Sequence, residues 1–516
     1  MKALTASQMR EVDRRSIELG IPGLILMENA GHRVAEFLIE KFAPLGEHHV
    51  VILCGKGNNG GDGLVLARQL WLRARPTRLD VVLAADPAQL RGDAAENFRM
   101  LRVCGCPVAS ALTPEMREAT IVVDALLGTG LNGPAFGDMT GLIREINAGF
   151  PRAKIVAVDI PSGLGSDSGA IPGEAVQADY TVTFTAPKVG HVLPPACDRV
   201  GELRVCAIGS PPSLYEGDES IFLSLLEPAV FRHLLGPRPR GSNKGDFGHV
   251  LVIAGSRGKT GAAAMTGLAA LRTGAGLVTV ASAQSAIPVI ASHAPELMTE
   301  PLPETENGAI SLAAFDHDLL AGLIKGKDVI AMGPGLGTHP ETVSAVRRLV
   351  EEAPQYLVID ADGLNALAGV ELKGRNLILT PHPGEMARLT GKRTAEVQAD
   401  RVGIARGFST EHGVTLVLKG QRTLIAFPDG RVWVNPTGTP GMATGGSGDI
   451  LTGMLAGLLA QAPQEVEAAI AAAVYLHGLA GEYGAEALGE RTLIATDLLA
   501  FLPEAMDECA GIPDTL

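Results

Sequence analysis

Asp449 follows a run of small residues, Gly445, Gly446, Ser447 and Gly448, and opens an apolar segment, DILTGMLAGLLA, that reads as a helix. The first turn of a helix has unpaired amide hydrogens and a partial positive charge, so it attracts phosphate. Glycines there let the backbone come close to the anion. A carboxylate in that place repels phosphate unless it moves a proton at an oxygen on, or about to join, the phosphate. The plainer alternative is an Asp that caps a helix after a turn.

Other chemistry-bearing residues stand where apolar runs end. In the first half, HVVILC (49–54) leads into GKGNNGGDG (55–63). Gly55, Gly57 and Gly60 match a dinucleotide-binding fingerprint, with Asp80 and Asp86 as ribose partners. Asp62 would then face a pyrophosphate at a helix start, and Asn58 and Asn59 are bulky for a loop that hugs phosphate. An ordinary nicotinamide dehydrogenase therefore ranks second. TIVVD (120–124) ends in Asp124 and KIVAVD (154–159) in Asp159, followed by Ile160-Pro161-Ser162-Gly163. The carboxyl ends of strands in an open parallel sheet converge on the ligand crevice. Asn59, Asp124 and Ser162 would bring one carboxylate and several neutral oxygens there, a donor set for a hard monovalent cation rather than zinc. As turn residues they would need no ligand at all.

The second half repeats the pattern with Gly255–Gly261 (GSRGKTG), Gly333–Gly337 (GPGLG), Asp360–Asn365 (DADGLN), Thr380–Glu385 (TPHPGE) and Lys419–Thr423 (KGQRT). Ile253 stands where a Walker A motif needs glycine, so GSRGKTG is a glycine turn opening a helix over 261–273. Lys419 could neutralise phosphate charge and Thr423 donate a hydrogen bond to it. His382 is held between two prolines, with a structural role as the plain reading. Asp360 and Asp362 could simply cap the next helix.

These loops need a scaffold of parallel strands. Further runs at 79–84, 179–184 and 203–208 complete a first series; a second comprises 249–254, 277–281, 328–332, 356–360, 376–380, 414–418, 422–427 and 432–434. Continuously apolar strands separated by helix-length segments make an α/β chain with sheets covered on both faces. A proline-rich polar passage from Gly209 to about Gly248, with a short strand-and-helix entry, joins the two series, and 516 residues suit two domains. Thr5 and Gln8 sit in capping-box spacing at the start of an amphipathic helix, and no run is long enough to span a membrane. A net charge of −14 argues against nucleic acid and anionic membranes as partners. The six cysteines form no paired CxxC framework, as expected of thiols in a reducing cytoplasm. Acidic composition and apolar helices fit a homo-oligomer.

GKGNNGGDG, VDALLGTGLNGP and VDIPSG, with PGLILMENAG (22–31) before them, resemble the N-terminal domain of the NAD(P)H-hydrate epimerases over about residues 1–215. The resemblance implies a Rossmann-like three-layer domain that binds potassium through Asn59, Asp124 and Ser162. It also implies that Asn58, Asn59, Gly60, Gly61, Asp62 and Gly128, Thr129, Gly130, Leu131, Asn132, Gly133, Pro134 bind the hydrated coenzyme, with Asp159 at the reacting centre. From residue 225 to 516, GSRGKTGAA, GPGLG, TPHPGE, KGQRT and NPTGTPGMATGGSGD resemble the ribokinase-like superfamily, most closely its ADP/ATP-dependent NAD(P)H-hydrate dehydratase branch. That implies hydrate contacts at Ala263, Gly337, His382 and Asp449. It places ADP or ATP, with magnesium, at Lys419, Gly420, Gln421, Arg422, Thr423 and Gly448. Which of Ala262 and Ala263 faces the ligand stays open. Fusion of the two domains points to a bifunctional enzyme of nicotinamide-coenzyme repair. The alternative is a ribokinase-like small-molecule kinase fused to a non-catalytic nucleotide-binding module.

Overall fold

Successive residues of a strand point to opposite faces, and β1 (His49–Cys54) is apolar on both. Val50, Ile52 and Cys54 join one core, Val51 and Leu53 another. The first core is closed by helices Gly23–Lys41, Asn58–Gln69 and Gly92–Val103, the second by helix Asp138–Ala148, giving three layers. In this computed structural model residues 1–131, 133–372 and 376–511 are described. The chain divides into two compact units, Met1–Leu225 and Leu226–Leu516.

The first unit adds β2 (Arg78–Leu83), β3 (Val108–Ala109), β4 (Ile121–Ala125), β5 (Lys154–Val158), β6 (Tyr180–Phe184) and β7 (Glu202–Cys206). All are parallel, in the order β3-β2-β1-β4-β5-β6-β7. The order reverses between β1 and β4, where the loops leaving the strands diverge and open a crevice. Gly55 and Gly60 make the turn after β1 possible. A Cβ on Gly55 would lie 1.9 Å from the Leu126 carbonyl oxygen, and one on Gly60 1.9 Å from that of Gly55. The unit ends at a short strand, β8 (Leu223–Leu225), which folds back on the chain start: Leu225 N donates to Met1 O at 2.8 Å. The Thr5–Gln8 capping box opens helix Ala6–Glu18.

The second unit contains β9 (His249–Ile253), β10 (Leu277–Ala283), β11 (Met298–Leu302), β12 (Val329–Met332), β13 (Tyr356–Ile359), β14 (Leu377–Leu379) and β15 (Thr415–Leu418), all parallel. Two antiparallel strands follow, β16 (Leu424–Ala426) and β17 (Val432–Val434). The order β11-β10-β9-β12-β13-β14-β15-β16-β17 reverses between β9 and β12. Helix Ser447–Gln461 is buried almost all round, and its Gly453 and Gly457 let it press on helix Thr260–Arg272. A Cβ on Gly453 would lie 2.1 Å from the Thr266 carbonyl oxygen. This packing fixes where the helix begins, and therefore where Asp449 stands.

Two strands lie outside the sequence reading, β3 and β11, while β8 is the short strand expected within the passage after Gly209. β3 is too short to show a pattern. β11 carries Glu300 and Pro301 and is mostly exposed, because an outer strand tolerates what a central strand excludes. No helix among the described residues is long and apolar enough to cross a membrane.

Candidate active sites

The strand ends β1, β4 and β5 bring Asn59, Asp124 and Ser162 together. Asp124 and Ser162 are fully buried, and Asn59 is 7% exposed. Ser162 donates to Asp124 twice, from Oγ to Oδ1 at 2.6 Å and from N to Oδ2 at 2.7 Å. Leu127 N donates to Ser162 Oγ at 2.8 Å, and Asn59 Nδ2 to Leu127 O at 3.0 Å. Asn59 Oδ1 is buried without a hydrogen-bond partner. Burial pushes the Asp124 carboxyl up to about 6 against its three hydrogen bonds. No cationic side chain among the described residues offsets it. A buried carboxylate beside an orphaned amide oxygen fits a small cation held by oxygens.

Asp159 sits immediately past β5 with φ +62°, and Ile160 N donates to Val158 O at 2.8 Å across it, the strained form of γ-turn. Thr185, past β6, repeats this with φ +66° and an Ala186 N to Phe184 O bond of 2.7 Å. Strain of this kind gathers at functional sites. Asp159 Oδ1 accepts from Lys188 Nζ at 2.5 Å and Thr183 Oγ1 at 2.9 Å. Burial alone would raise the Asp159 carboxyl, but the Lys188 charge and bond, and then the Thr183 bond, hold it below the usual carboxylate range. Asp62, on helix Asn58–Gln69, moves the other way: burial, then the charges of Asp159 and Asp13, push it well above. Asp13 is raised to about 6, by burial first and then by Asp159. Asp62 therefore belongs electrostatically to the Asp159 cluster.

The remaining first-site positions form the rim. Asn58 is exposed, Gly60 and Gly61 are buried in the helix start, and Gly128 lies against Asn59 (a Cβ would be 3.1 Å from Asn59 Cβ). Thr129, Gly130 and Leu131 turn outward, with Leu131 N bonded to Gly128 O at 3.3 Å; Gly133 and Pro134 are exposed. Asn132 lies outside the described residues. The ribose partners of the second-ranked dehydrogenase reading are otherwise occupied: Asp80 pairs with His49 and Arg78, and Asp86 caps the turn Pro87–Gln89.

In the second unit, Asp449 lies in the first turn of its helix. Burial, then the charge of Asp360, push its carboxyl up to about 7 while Lys419 pulls it down. Lys419 does not stand free for phosphate as the sequence suggested. Its Nζ donates to buried Asp360 Oδ1 at 2.5 Å and lies 4.0 Å from buried Glu385. Asp360 stands at the N-cap position of helix Ala361–Ala366, but its side chain makes no capping bond, since Thr452 Oγ1 donates to its other oxygen at 2.9 Å. Thr423 Oγ1 bonds Gly420 O within its own loop at 2.9 Å. Gln421 O accepts from Arg401, Arg422 donates to Pro436 O, and Gly448 Cα faces the Lys419–Asp360 pair (a Cβ would be 3.2 Å from Nζ).

Asp362 accepts from Gly337 N at 2.8 Å and pairs with Lys259 at 3.2 Å, tying the GPGLG loop to the GSRGKTG turn. His382 caps helix Pro383–Thr390 through Nδ1, accepting from Gly384 N at 3.0 Å, so the neutral ring carries its proton on Nε2. Its side chain stays 52% exposed, open to a ligand. Ala263 is fully buried behind Gly255, whereas Ala262 is partly exposed and approaches Gly335. A ligand side group would meet Ala262 first.

The sequence reading missed Lys188, Thr183, Asp13 and the Asp360–Lys419 clamp. A lysine between Pro187 and Val189 carried a weak signal, the unusual one of a charge inside an apolar stretch.

The comparisons agree with two sites on two units. Residues 23–190 match the family model described as YjeF-related protein N-terminus, and residues 250–504 that of NAD(P)H-hydrate dehydratase. The bifunctional NAD(P)H-hydrate repair enzyme Nnr of Moorella thermoacetica is 44% identical over 98% of this chain and 96% of its own length. The enzyme of the same name from Coxiella burnetii is 40% identical over 96% and 97%. An ADP/ATP-dependent NAD(P)H-hydrate dehydratase from Bacillus subtilis, co-crystallised with ATP and Mg2+, covers 54% of this chain and 95% of its own at 35% identity, TM-score 0.48. With both relatives aligned from one end of the chain to the other, through both crevices, the chain belongs to the family of bifunctional NAD(P)H-hydrate repair enzymes.

Proposed function

We propose that the chain repairs hydrated NADH and NADPH at two independent centres. The first unit interconverts the R and S forms of NAD(P)HX. The second dehydrates S-NAD(P)HX to NAD(P)H at the expense of ADP or ATP, giving AMP or ADP and phosphate. We take the epimerase part as residues 1–215 and the dehydratase part as 225–516. The observation that carries the reading is the pair of strand-end and helix-start carboxylates with opposite protonation behaviour, Asp159 and Asp449.

In the dehydratase, the hydroxyl beside the ring nitrogen is a poor leaving group until phosphorylated. Asp449, raised to about 7, is matched to take the hydroxyl proton as the oxygen attacks the terminal phosphorus. The nucleotide leaves as AMP or ADP. The nitrogen lone pair then expels phosphate, and loss of the neighbouring ring proton restores the double bond. Gly337 and His382, with Ala262 in front of the fully buried Ala263, would hold the hydrate; Gly420, Gln421, Arg422, Thr423 and Gly448 would hold the nucleotide, magnesium accompanying its phosphates, while Lys419 stays paired with Asp360. In the epimerase, Asp159 takes the hydroxyl proton as the bond between the hydroxyl-bearing carbon and the ring nitrogen opens, the nitrogen keeping the electron pair, and gives it back as the nitrogen closes on the opposite face of the resulting aldehyde. The loops Asn58–Asp62 and Gly128–Pro134 would bind the coenzyme. Asn59, Asp124 and Ser162 would hold potassium, which when bound supplies a fixed positive charge for the coenzyme phosphate. Six free thiols support a cytoplasmic setting, and we include a homo-oligomer in the reading.

The test supplies an equilibrated mixture of R- and S-NADHX with ADP and follows absorbance of the reduced nicotinamide. Recovery of the whole mixture is expected. Recovery of the S form alone would remove the epimerase, and a stable phosphorylated alcohol would favour a kinase.

A further inference from the structure

The two oxygens of Asp159 are treated differently by the fold. Oδ1 accepts from Lys188 Nζ at 2.5 Å and from Thr183 Oγ1 at 2.9 Å. Among the described residues no donor reaches Oδ2, and the side chain is 15% exposed. Lys188 is itself 1% exposed. Its Nζ donates to Asp159 Oδ1, to Thr183 Oγ1 at 2.8 Å and to Phe184 O at 3.2 Å. An ammonium has three protons, so Lys188 has none left for a substrate. It cannot be the acid of the reaction, nor a phosphate ligand, without abandoning a buried bond.

We propose that Lys188 is a positioning residue for epimerisation: it fixes Asp159 as a carboxylate with Oδ1 committed to the protein and Oδ2 presented to the reacting ring. The geometry makes Asp159 a one-ended base. The proton that Oδ2 takes up in one half of the interconversion is returned in the other, so no further reactant is consumed. The strained turn at Asp159 serves the same end, because it turns the side chain out of the strand direction toward β6, where Thr183 and, beyond the strand, Lys188 meet it.

The surrounding charges show why a lysine is needed. Asp62 and Asp13 face Asp159 from helices Asn58–Gln69 and Ala6–Glu18, and both are raised by its charge. His191, three residues beyond Lys188, is pushed down to about 3 by burial and by Lys188, so it brings no positive charge. Lys188 is thus the cation of this cluster. Without it, three carboxyls would share one apolar pocket and Asp159 would be the one to gain a proton.

The inference rests on Asp159 being the acid–base group, and the experiment separates the two claims. Interconversion of R- and S-NADHX is measured without ADP from pH 5 to 9 for the full chain, Lys188→Met, Thr183→Val and Asp159→Asn. In Lys188→Met the acid limb of kcat should rise by about four pH units, costing ~30-fold at pH 6 and almost nothing at pH 9. KM should stay within about two-fold, because Lys188 does not touch substrate. Thr183→Val, which removes one Oδ1 partner and keeps the charge, should move the limb the same way by less; it carries the test if Lys188→Met does not fold. Circular dichroism and the thermal unfolding of the full chain report on folding of the first unit, which ADP-dependent dehydration in the second unit would not. A folded Lys188→Met, or in its place Thr183→Val, with the parent pH profile, even at a uniformly lower rate, overturns the role of Lys188. An active Asp159→Asn instead overturns the assignment of Asp159 itself.

Discussion

Each unit contains a lysine–aspartate pair with one fully buried member and a threonine as third partner, but the two pairs do opposite things. In the first unit Lys188 and Thr183 bind Asp159, the carboxylate assigned to chemistry, and hold it ionised. In the second, Lys419 and Thr452 bind Asp360 instead, and Asp449 is left beside the pair without an ion-pair partner of its own among the described residues. The negative charge of Asp360 then helps raise Asp449 to about 7. One motif of side chains, differing only in which Asp it embraces, yields a permanent base in one unit and a group poised near neutrality in the other. The lesson is that a carboxylate's role is set by who else claims the nearby cation.

The largest test of this contrast is Asp449→Asn. It should lower ADP-dependent dehydration by ~1000-fold, read by absorbance recovery from S-NADHX, while ADP still binds and epimerisation continues. Substantial remaining dehydration would break the contrast outright. Next comes pH. Asp449 must be ionised to accept a proton, so dehydratase kcat should fall below about pH 7, by ~50-fold between pH 7 and 5. Asp159 is held below the ordinary carboxylate range, so epimerisation should stay flat over that interval. Matching limbs for both activities would contradict the assignment.

Asp360→Asn sharpens the comparison further. Removing that charge should shift the dehydratase limb downward, the opposite direction to Lys188→Met in the first unit, and releasing Lys419 should change ADP affinity by ~10-fold. The smallest effect belongs to the cation site: Asp124→Asn should reduce the response of epimerisation to potassium over lithium by several-fold to ~10-fold. A response to potassium that survives unchanged would place the cation elsewhere.

Much of the scaffold was legible because it rests on local patterns. The central strands read as continuous apolar runs, and most lie within about a residue or two of the expected positions. The strand-end residues Asn59, Asp124, Ser162 and Asp159 announced themselves by following such runs, and the glycines by the close approaches they permit. β11 escaped because outer strands are not held to the apolar rule, and β3 because two residues show no period. Lys419 was assigned to phosphate because a lysine after a strand looks free until its neighbours are known.

The amino-acid order alone determined two parallel sheets, two glycine-lined crevices and an acidic residue at each, since periodicity, turn chemistry and helix-start electrostatics act over a few residues. Only the folded chain decided what those acids are. Lys188 reaches Asp159 across 29 positions and Lys419 reaches Asp360 across 59. Charge–charge energy depends on distance and burial rather than on separation along the chain, so protonation is a property of the tertiary structure.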